Sequence, residues 1–320
     1  MVFFQSISAL IILAVTCFLV IFSFELKIER KENDLTVKGW LENEQEIDFK
    51  LTFSSNKAKI LENNGIFGYF CCESFSTKNM KPYQGIACLE GRFAEKVFES
   101  SLKFSKDLKL ERVQLIASSD DSISRRSRFS GTLGLSPVSF CNGTQFGQDA
   151  IIHEIRRGYN GFMIDIPKLV FTSVFNSKLQ SSFNGATFEI EQFKLGSVLF
   201  NERFKVKIDL DCNEMRIPKK IYNAYKQAGV DYQVVFETDP RNNLKKMVRW
   251  IAREVYLEFA NGRKLFLPLG EKSVIFVDLA MKPHDEEYIS LGLFFFDHFA
   301  VSFDLKHGRI YFDPKKKDGR

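Results

Sequence analysis

Apolar and polar residues alternate with a period of two along most of this chain, and that alternation limits the fold more than any other feature. Between residues 47 and 53, Ile, Phe and Leu alternate with Asp, Lys and Thr. A period of two sends successive side chains to opposite faces of a β-strand, so one face is buried and the other is solvated. The 34 phenylalanines suit this pattern, because aromatic residues are favoured in strands and fill cores. We predict a mainly β protein of the all-β class with a few short helices.

Two pairs of alternating segments are joined by short turns that favour hairpins. The turns are an Asn-Gly dipeptide at 261–262 and a His-Gly dipeptide at 307–308, and Asn-Gly in particular suits a tight two-residue connection. Helical spacing is limited to residues 149–157 and 218–228, each followed directly by a glycine, which is a common helix stop. We therefore predict two hairpins and two short helices at these places.

The first residues form an apolar run that predicts membrane targeting. Residues 2–24 contain no charged side chain and are rich in Phe, Ile, Leu and Val, and a run of about 20 apolar residues can span a bilayer. Three interpretations stay open: a signal peptide cleaved after Ser23, an uncleaved signal anchor, or a buried helix. We assign residues 1–24 to a signal peptide or signal anchor, and expect membrane contact only through that segment if it stays attached. The remainder is then secreted, extracellular or lumenal.

The cysteines are compatible with an oxidising compartment. After the apolar run there are enough of them for two disulfides and one free thiol: Cys71, Cys72, Cys88, Cys141 and Cys212. The favoured pairing joins Cys71 or Cys72 to Cys88. Asn142 begins an Asn-Gly-Thr sequon, which predicts glycosylation on a surface turn. A disulfide-bonded glycoprotein is the expectation.

Charge and motifs exclude several function classes. The formal net charge is +5, from 45 Lys and Arg against 40 Asp and Glu, which is too small to indicate a nucleic-acid protein. The sequence has no phosphate-binding loop, dinucleotide fingerprint, serine nucleophile elbow or paired-cysteine zinc motif. No two of the four histidines have ligand spacing on a helix. We predict no cofactor, no metal and no nucleic-acid partner.

Several segments, taken in order, resemble the pepsin-like aspartic peptidases. Residues 289–304 and 308–312 look like that family's closing I-L-G-D-x-F-L-R segment and the hairpin after it, and residues 130–137 resemble its D-G-I-L-G-L segment. The ordered match covers roughly residues 35–313. The resemblance implies a bilobal acid-protease fold, in which two β lobes flank a central cleft. We place the lobes at residues 25–175 and 176–320.

A weak internal repeat in the sequence is consistent with two related lobes. A strand that ends in a turn rich in Ser or Asp occurs at residues 49–56 and again at 204–212. In the family, each such turn carries one aspartate of a D-[TS]-G motif. The two close carboxylates share a proton, so that one acts as base and the other as acid.

The resemblance assigns the active-site positions and indicates that one carboxylate is missing. Asp209 keeps the second aspartate, and Asp211 stands where the family has glycine. In the first lobe Ser54 replaces the other aspartate, and Asn56 replaces the glycine. Phe93 is the aromatic residue nearest to the position of the family's flap tyrosine.

Three functional hypotheses follow. The favoured one is a secreted or lumen-facing peptidase homologue that is catalytically inactive and binds a peptide, a protein or an apolar ligand, because a hydroxyl at Ser54 cannot share a proton with Asp209. The second is an active acid endopeptidase with an altered catalytic pair. The third is a non-enzymatic, β-rich extracellular structural protein.

Overall fold

The computed structural model describes most of the chain after the apolar run. The described residues are 23–31, 34–61, 77, 80–82, 96–118, 130–136, 151–173, 179–184, 187–229, 232–238, 244–267, 275–277 and 281–314. Within these ranges no helix is both long enough and apolar enough to cross a membrane. The predicted segment 1–24 falls outside them except for its last two residues. Of these, Phe24 is buried and packs against Phe171 and Tyr159, with ring centroids 5.3 and 4.8 Å away.

Strands dominate the described part and the helices are short, as the alternation predicts. The strands are β1 Glu25–Lys27, β2 Glu29–Lys31, β3 Asp34–Leu41, β4 Glu46–Thr52, β5 Ala58–Leu61, β6 Lys81–Pro82, β7 Lys96–Lys103, β8 Lys109–Ser118, β9 Gly131–Gly134, β10 Gly161–Asp165, β11 Val170–Thr172, β12 Leu179–Asn184, β13 Thr187–Ile190, β14 Gln192–Leu195, β15 Val198–Phe200, β16 Phe204–Ile208, β17 Met215–Pro218, β18 Tyr232–Thr238, β19 Leu244–Ala252, β20 Val255–Glu258, β21 Lys264–Phe266, β22 Ile275–Phe276, β23 Met281–His284, β24 Tyr288–Leu291, β25 Phe299–Asp304 and β26 Arg309–Pro314. The helices are α1 Ile151–Gly158, α2 Lys219–Ala228 and α3 Leu293–Phe296.

The local predictions from sequence are confirmed where the structure describes them. The two hairpins are β20–β21 and β25–β26, and their turn glycines, Gly262 and Gly308, have φ of 72° and 61°. Glycine adopts such left-handed angles without steric cost. Helix α2 begins directly after Pro218 and ends at Gly229, whose φ is 66°.

Strands of the first and second halves of the chain pair in one large sheet. Its order is β1-β11-β10-β25-β26-β12-β13-β16-β24-β17-β23, and a separate eight-stranded sheet has the order β2-β3-β4-β9-β5-β8-β7-β6. Buried phenylalanines link the two sheets: Phe53, just past β4, packs on Phe303 of β25 with ring centroids 5.1 Å apart. The turn after β4 is therefore anchored on the sheet that both halves build.

Each of these sheets contains the same arrangement of five strands. In the first unit, β3-β4-β9-β5-β8, strand β4 runs parallel to β9, β9 antiparallel to β5, and β5 parallel to β8. In the second unit, β13-β16-β24-β17-β23, the corresponding pairs are parallel, antiparallel and parallel again. The outer strands β3 and β13 are both antiparallel to their neighbours. The weak internal repeat in the sequence thus corresponds to a repeated strand topology.

Candidate functional site

The two candidate turns follow equivalent strands of the two units. Strand β4 leads into the first turn, residues 53–57, and β16 leads into the second turn, residues 209–214. On the central strand of each unit, Thr132 pairs with Lys50 and Ser290 pairs with Lys207. Thr132 and Ser290 are equivalent, because each lies two residues before the glycine of a Leu-Gly pair. Their partners Lys50 and Lys207 are therefore equivalent. Two residues further along, Thr52 is equivalent to Asp209.

The same local hydrogen bond stabilises both turns. The Ser54 N–H donates to Thr52 Oγ1 and the Asp211 N–H donates to Asp209 Oδ1, each at 3.0 Å. Short polar side chains that accept from the backbone two residues onward are a common way to hold a turn. The bonds support the register: Thr52 corresponds to Asp209, and Ser54 corresponds to Asp211.

A glycine lies behind each turn and lets two backbone segments touch. A Cβ added to Gly134 would come within 2.5 Å of the Ser55 carbonyl oxygen, and one added to Gly292 within 2.6 Å of the Cys212 carbonyl oxygen. Ser55 and Cys212 are equivalent in the register. The same carbonyls accept hydrogen bonds of 2.9 Å from the N–H groups of Ser136 and Leu293.

The structural register differs by two residues from the sequence comparison in the first turn. The sequence comparison equated Ser54 with Asp209, whereas strand pairing equates Thr52 with Asp209. Both candidates in the first turn are hydroxyl residues, so neither supplies a carboxylate. Thr52 was missed because it continues the alternation of β4, and only the pairing of β4 with β9 and of β16 with β24 fixes the register.

The two turns meet through Thr52 and Asp211, which lie 159 residues apart in sequence. Thr52 Oγ1 donates a hydrogen bond to Asp211 Oδ2, and Thr52 Oγ1 also lies 2.7 Å from Ser54 Oγ. Lys50 Nζ lies 2.9 Å from Asp211 Oδ1 and 2.8 Å from Asp34 Oδ1. Both oxygens of Asp211 are thus engaged by side chains of the first unit.

Lys50 carries the positive charge of this cluster. Its side chain is only 15% exposed. Burial opposes the charged form, but the hydrogen bonds and charges of Asp34 and Asp211 outweigh it, so the pKa of Lys50 is raised above the usual value for lysine. The sequence analysis missed Lys50, because its two partners come from distant parts of the chain.

Both carboxylate oxygens of Asp209 accept hydrogen bonds from residues of its own unit. Its Oδ1 accepts from the Asp211 N–H, and its Oδ2 accepts from Ser290 Oγ at 3.4 Å. In the part of the chain that the structure describes, no hydrogen bond joins Asp209 to a second carboxylate. The paired carboxylates that acid catalysis requires are not assembled by these residues.

Cys212, also in the second turn, is a free and buried thiol. Burial, followed by the charge of Asp209, raises its pKa to about 12. Its Sγ lies 3.2 Å from the Glu214 carbonyl oxygen. The thiol stays protonated at neutral pH, and since the thiolate is the nucleophile, Cys212 is not an activated cysteine.

Asn56 is fully buried beneath the first turn. Its carbonyl oxygen accepts from the Ile151 N–H, 2.9 Å away, at the start of α1. Its side-chain atoms have no hydrogen-bond partner among the described residues. Asn56 therefore links the turn to the helix through its backbone.

Five of the predicted site residues lie outside the described residues: Phe93, Cys71, Cys72, Cys88 and Asn142. The flap, disulfide and glycosylation assignments stay predictions. Over the described ranges, no group of three or more His, Cys, Asp or Glu side chains is arranged to hold a metal ion.

Comparison with known proteins adds no relative. No protein-family model matches the chain, and no curated protein matches it.

Proposed function

We propose that this chain is a secreted or lumen-facing, pepsin-like peptidase homologue that has lost peptide hydrolysis and binds a peptide, a protein or an apolar ligand. One observation carries the proposal: the equivalent positions of the two turns hold a hydroxyl, Thr52, and a carboxylate, Asp209, each accepting the same turn hydrogen bond. An active enzyme of that family has a carboxylate at both positions.

The repeated five-strand units support the family part of the proposal. Each unit has one turn at the end of a strand parallel to its central strand, and each turn packs against a glycine that ends or follows that central strand. Two related lobes that present their turns to each other are what the pepsin-like arrangement requires. The sheet order β1-β11-β10-β25-β26-β12, which combines strands of both halves, is compatible with lobes joined by a shared sheet.

The chemistry of the turns supports the loss of activity. Acid catalysis by two carboxylates needs one to take a proton from water while the other gives one to the substrate carbonyl. Thr52 cannot fill either role, because an alcohol does not ionise at acidic or neutral pH. Removing a positioned acid or base costs a factor of about 10² to 10⁴ in rate, and the oxygens of Asp211 are already engaged by Thr52 and Lys50.

The first test measures proteolysis by the full chain, produced in an oxidising host and confirmed as folded. An acid-unfolded protein substrate is incubated with it from pH 2 to 7, beside the variants Asp209→Asn and Asp285→Asn, the latter an exposed control. We expect no cleavage above background from any of the three. Acid-optimal cleavage that is lost only in Asp209→Asn would overturn the proposal and make Asp209 catalytic.

The second test separates peptide binding from catalysis. A statine peptide carries a hydroxyl that imitates the tetrahedral intermediate, and its deoxy analogue lacks it. We expect both to bind with affinities within about twofold of each other, because a hydroxyl that finds no pair of carboxylates adds little net hydrogen-bond energy. A strong preference for the hydroxyl would contradict the proposal. The failure of both peptides to bind would exclude the peptide ligand and leave a protein or an apolar ligand.

A further inference from the structure

A groove lies on the outer face of the first unit, away from the two candidate turns. It has a volume of about 700 Å³ and runs between two hairpin connections, residues 42–45 and 104–108. These connections are neighbours because β3 pairs with β7, with Trp40 opposite Lys103. Strand β4 extends about 20 Å from this end to Thr52, at about 3.3 Å per residue.

The lining of the groove separates opposite charges by chain segment. The carboxylates of Glu42 and Glu44 come from the first connection, and the ammonium groups of Lys103, Lys106 and Lys109 come from the second connection and its flanks. Across the described residues no ion pair joins the two sets; Lys109 instead pairs with Glu111 on its own strand, at 2.8 Å. The groove therefore receives acidic groups from one segment and basic groups from another, without an ion pair between them in the described part, although the charge of Glu42 helps to raise the pKa of Lys109.

Trp40 supplies an aromatic surface to the groove. It lies on the outer face of β3, is partly exposed, and lines the groove together with buried Phe104. Within the described part of the chain no lysine or arginine stacks over its ring, whereas the Tyr256 ring is covered by both Lys194 and Lys264. Tryptophan is the side chain that attracts a cation most strongly through its ring face.

We propose that this groove binds a small zwitterion of the phosphocholine type, with a quaternary ammonium over Trp40 beside Glu44 and a phosphate against the lysines. A ligand with a single charge leaves one side unmatched, and a polyanion is repelled by the glutamates. An aromatic ring with a neighbouring carboxylate is a recurring way to recognise a quaternary ammonium. Lysine is a common partner of phosphate.

The test is calorimetric titration of the full chain with phosphocholine, and separately with choline chloride and with inorganic phosphate. We expect saturable binding of phosphocholine, and weaker binding of either half. Trp40→Leu should weaken phosphocholine binding about tenfold, since a cation on an aromatic face contributes up to about that factor. Glu44→Gln and Lys106→Gln should each weaken it severalfold, and added salt should weaken it further.

Matched controls keep the proposal open to refutation. Lys205→Gln and Glu189→Gln change exposed charges on the second unit and should leave the affinity unchanged. If Trp40→Leu fails to fold by circular dichroism, Glu44→Gln and Lys106→Gln still decide the question, because both residues are exposed.

Three results would overturn the proposal. They are the absence of saturable phosphocholine binding by folded protein, equal affinity for phosphate or for choline alone, and affinity that the groove variants do not change. Co-sedimentation with phosphatidylcholine vesicles, competed by free phosphocholine, would identify a lipid headgroup as the source. Binding of free phosphocholine without vesicle binding would identify a soluble ligand.

Discussion

The first and second turns share one backbone arrangement but differ in chemistry. Each has a side-chain oxygen that accepts from the N–H two residues onward, from Thr52 in the first turn and from Asp209 in the second. The first turn, however, offers hydroxyls and the second offers carboxylates. The comparison shows that the same backbone turn forms around a neutral acceptor oxygen and around a charged one, with a glycine behind each.

The contact between the turns is also unequal. Lys50 crosses from the first unit to Asp211, while its equivalent Lys207 makes no ion pair in the described part and instead lies 5.7 Å from the centre of the Tyr288 ring. Of these two equivalent lysines, only Lys50 forms an ion pair with the other unit among the described residues.

The largest expected effect tests whether a glycine packs equally closely against the backbone of each turn. Gly134→Ala and Gly292→Ala should each lower the free energy of unfolding by about 3 kcal/mol, because the new Cβ would overlap a backbone carbonyl oxygen. Urea denaturation of both variants measures this, with Gly158→Ala as the control, since a Cβ there meets nothing within 4 Å. A loss confined to one of the two glycines would break the equivalence of the turns.

The second prediction tests the inequality between Lys50 and Lys207. Lys50→Met should cost about 2 kcal/mol of unfolding free energy, because it leaves Asp34 and Asp211 without their charged partner. Lys207→Met should cost less than about 1 kcal/mol, the value of an exposed cation over a ring. Equal losses in urea denaturation would contradict the role given to Lys50.

The pH dependence of the Lys50 contribution has a definite sign. Its pKa is raised in the folded state, so its stabilisation is complete below the unfolded-state pKa of lysine, near 10.5, and is lost as pH rises through the folded pKa. The difference in unfolding free energy between the native chain and Lys50→Met should therefore be constant around neutral pH. It should shrink above about pH 10.5.

The third prediction concerns Cys212, whose equivalent in the first turn is Ser55. The Cys212 thiol ionises near pH 9 when unfolded and near pH 12 when folded, so the unfolded state holds fewer protons between these values. Stability should fall there by up to about 1.4 kcal/mol per pH unit from this group alone. Cys212→Ser should remove that fall, as measured by urea denaturation at pH 8, 9 and 10. Identical slopes for both proteins would contradict it.

Local features of this fold were predictable from sequence, and contacts between distant segments were not. The hairpin at Gly262 and the helix end at Gly229 follow from residues within a few positions of each other. A strand that ends in the second turn was predicted within residues 204–212, and β16 ends there at Ile208. In the first turn, Thr52 and Ser54 both continue the alternation, so periodicity alone cannot say which of them begins the turn. The pairing of Lys50 with Asp211 depends on how the two units meet, which no local pattern encodes.

The groove at Trp40 illustrates the same limit. Its two charged connections are separated in sequence by the strands β4 to β7, and each alone looks like an ordinary solvated turn. Only the pairing of β3 with β7 brings them together. The meeting of an acidic and a basic segment at the groove is therefore a property of the fold and not of either segment.

The smallest expected effect decides whether Asp209 is kept for its charge or for its oxygen. In Asp209→Asn the amide oxygen still accepts from the Asp211 N–H, and the amide nitrogen can donate to Ser290 Oγ. The free energy of unfolding should therefore change by less than about 0.5 kcal/mol, as for most substitutions that keep their contacts. Asp209→Thr places in the second turn the side chain that Thr52 has in the first turn, and it should change the free energy of unfolding as little as Asp209→Asn does. Asp209→Leu removes the acceptor oxygen and should cost about 1 kcal/mol. A loss in Asp209→Asn as large as that in Asp209→Leu, measured by urea denaturation at pH 7, would mean that the charge itself stabilises the second turn. The two turns would then differ in what holds them as well as in their chemistry.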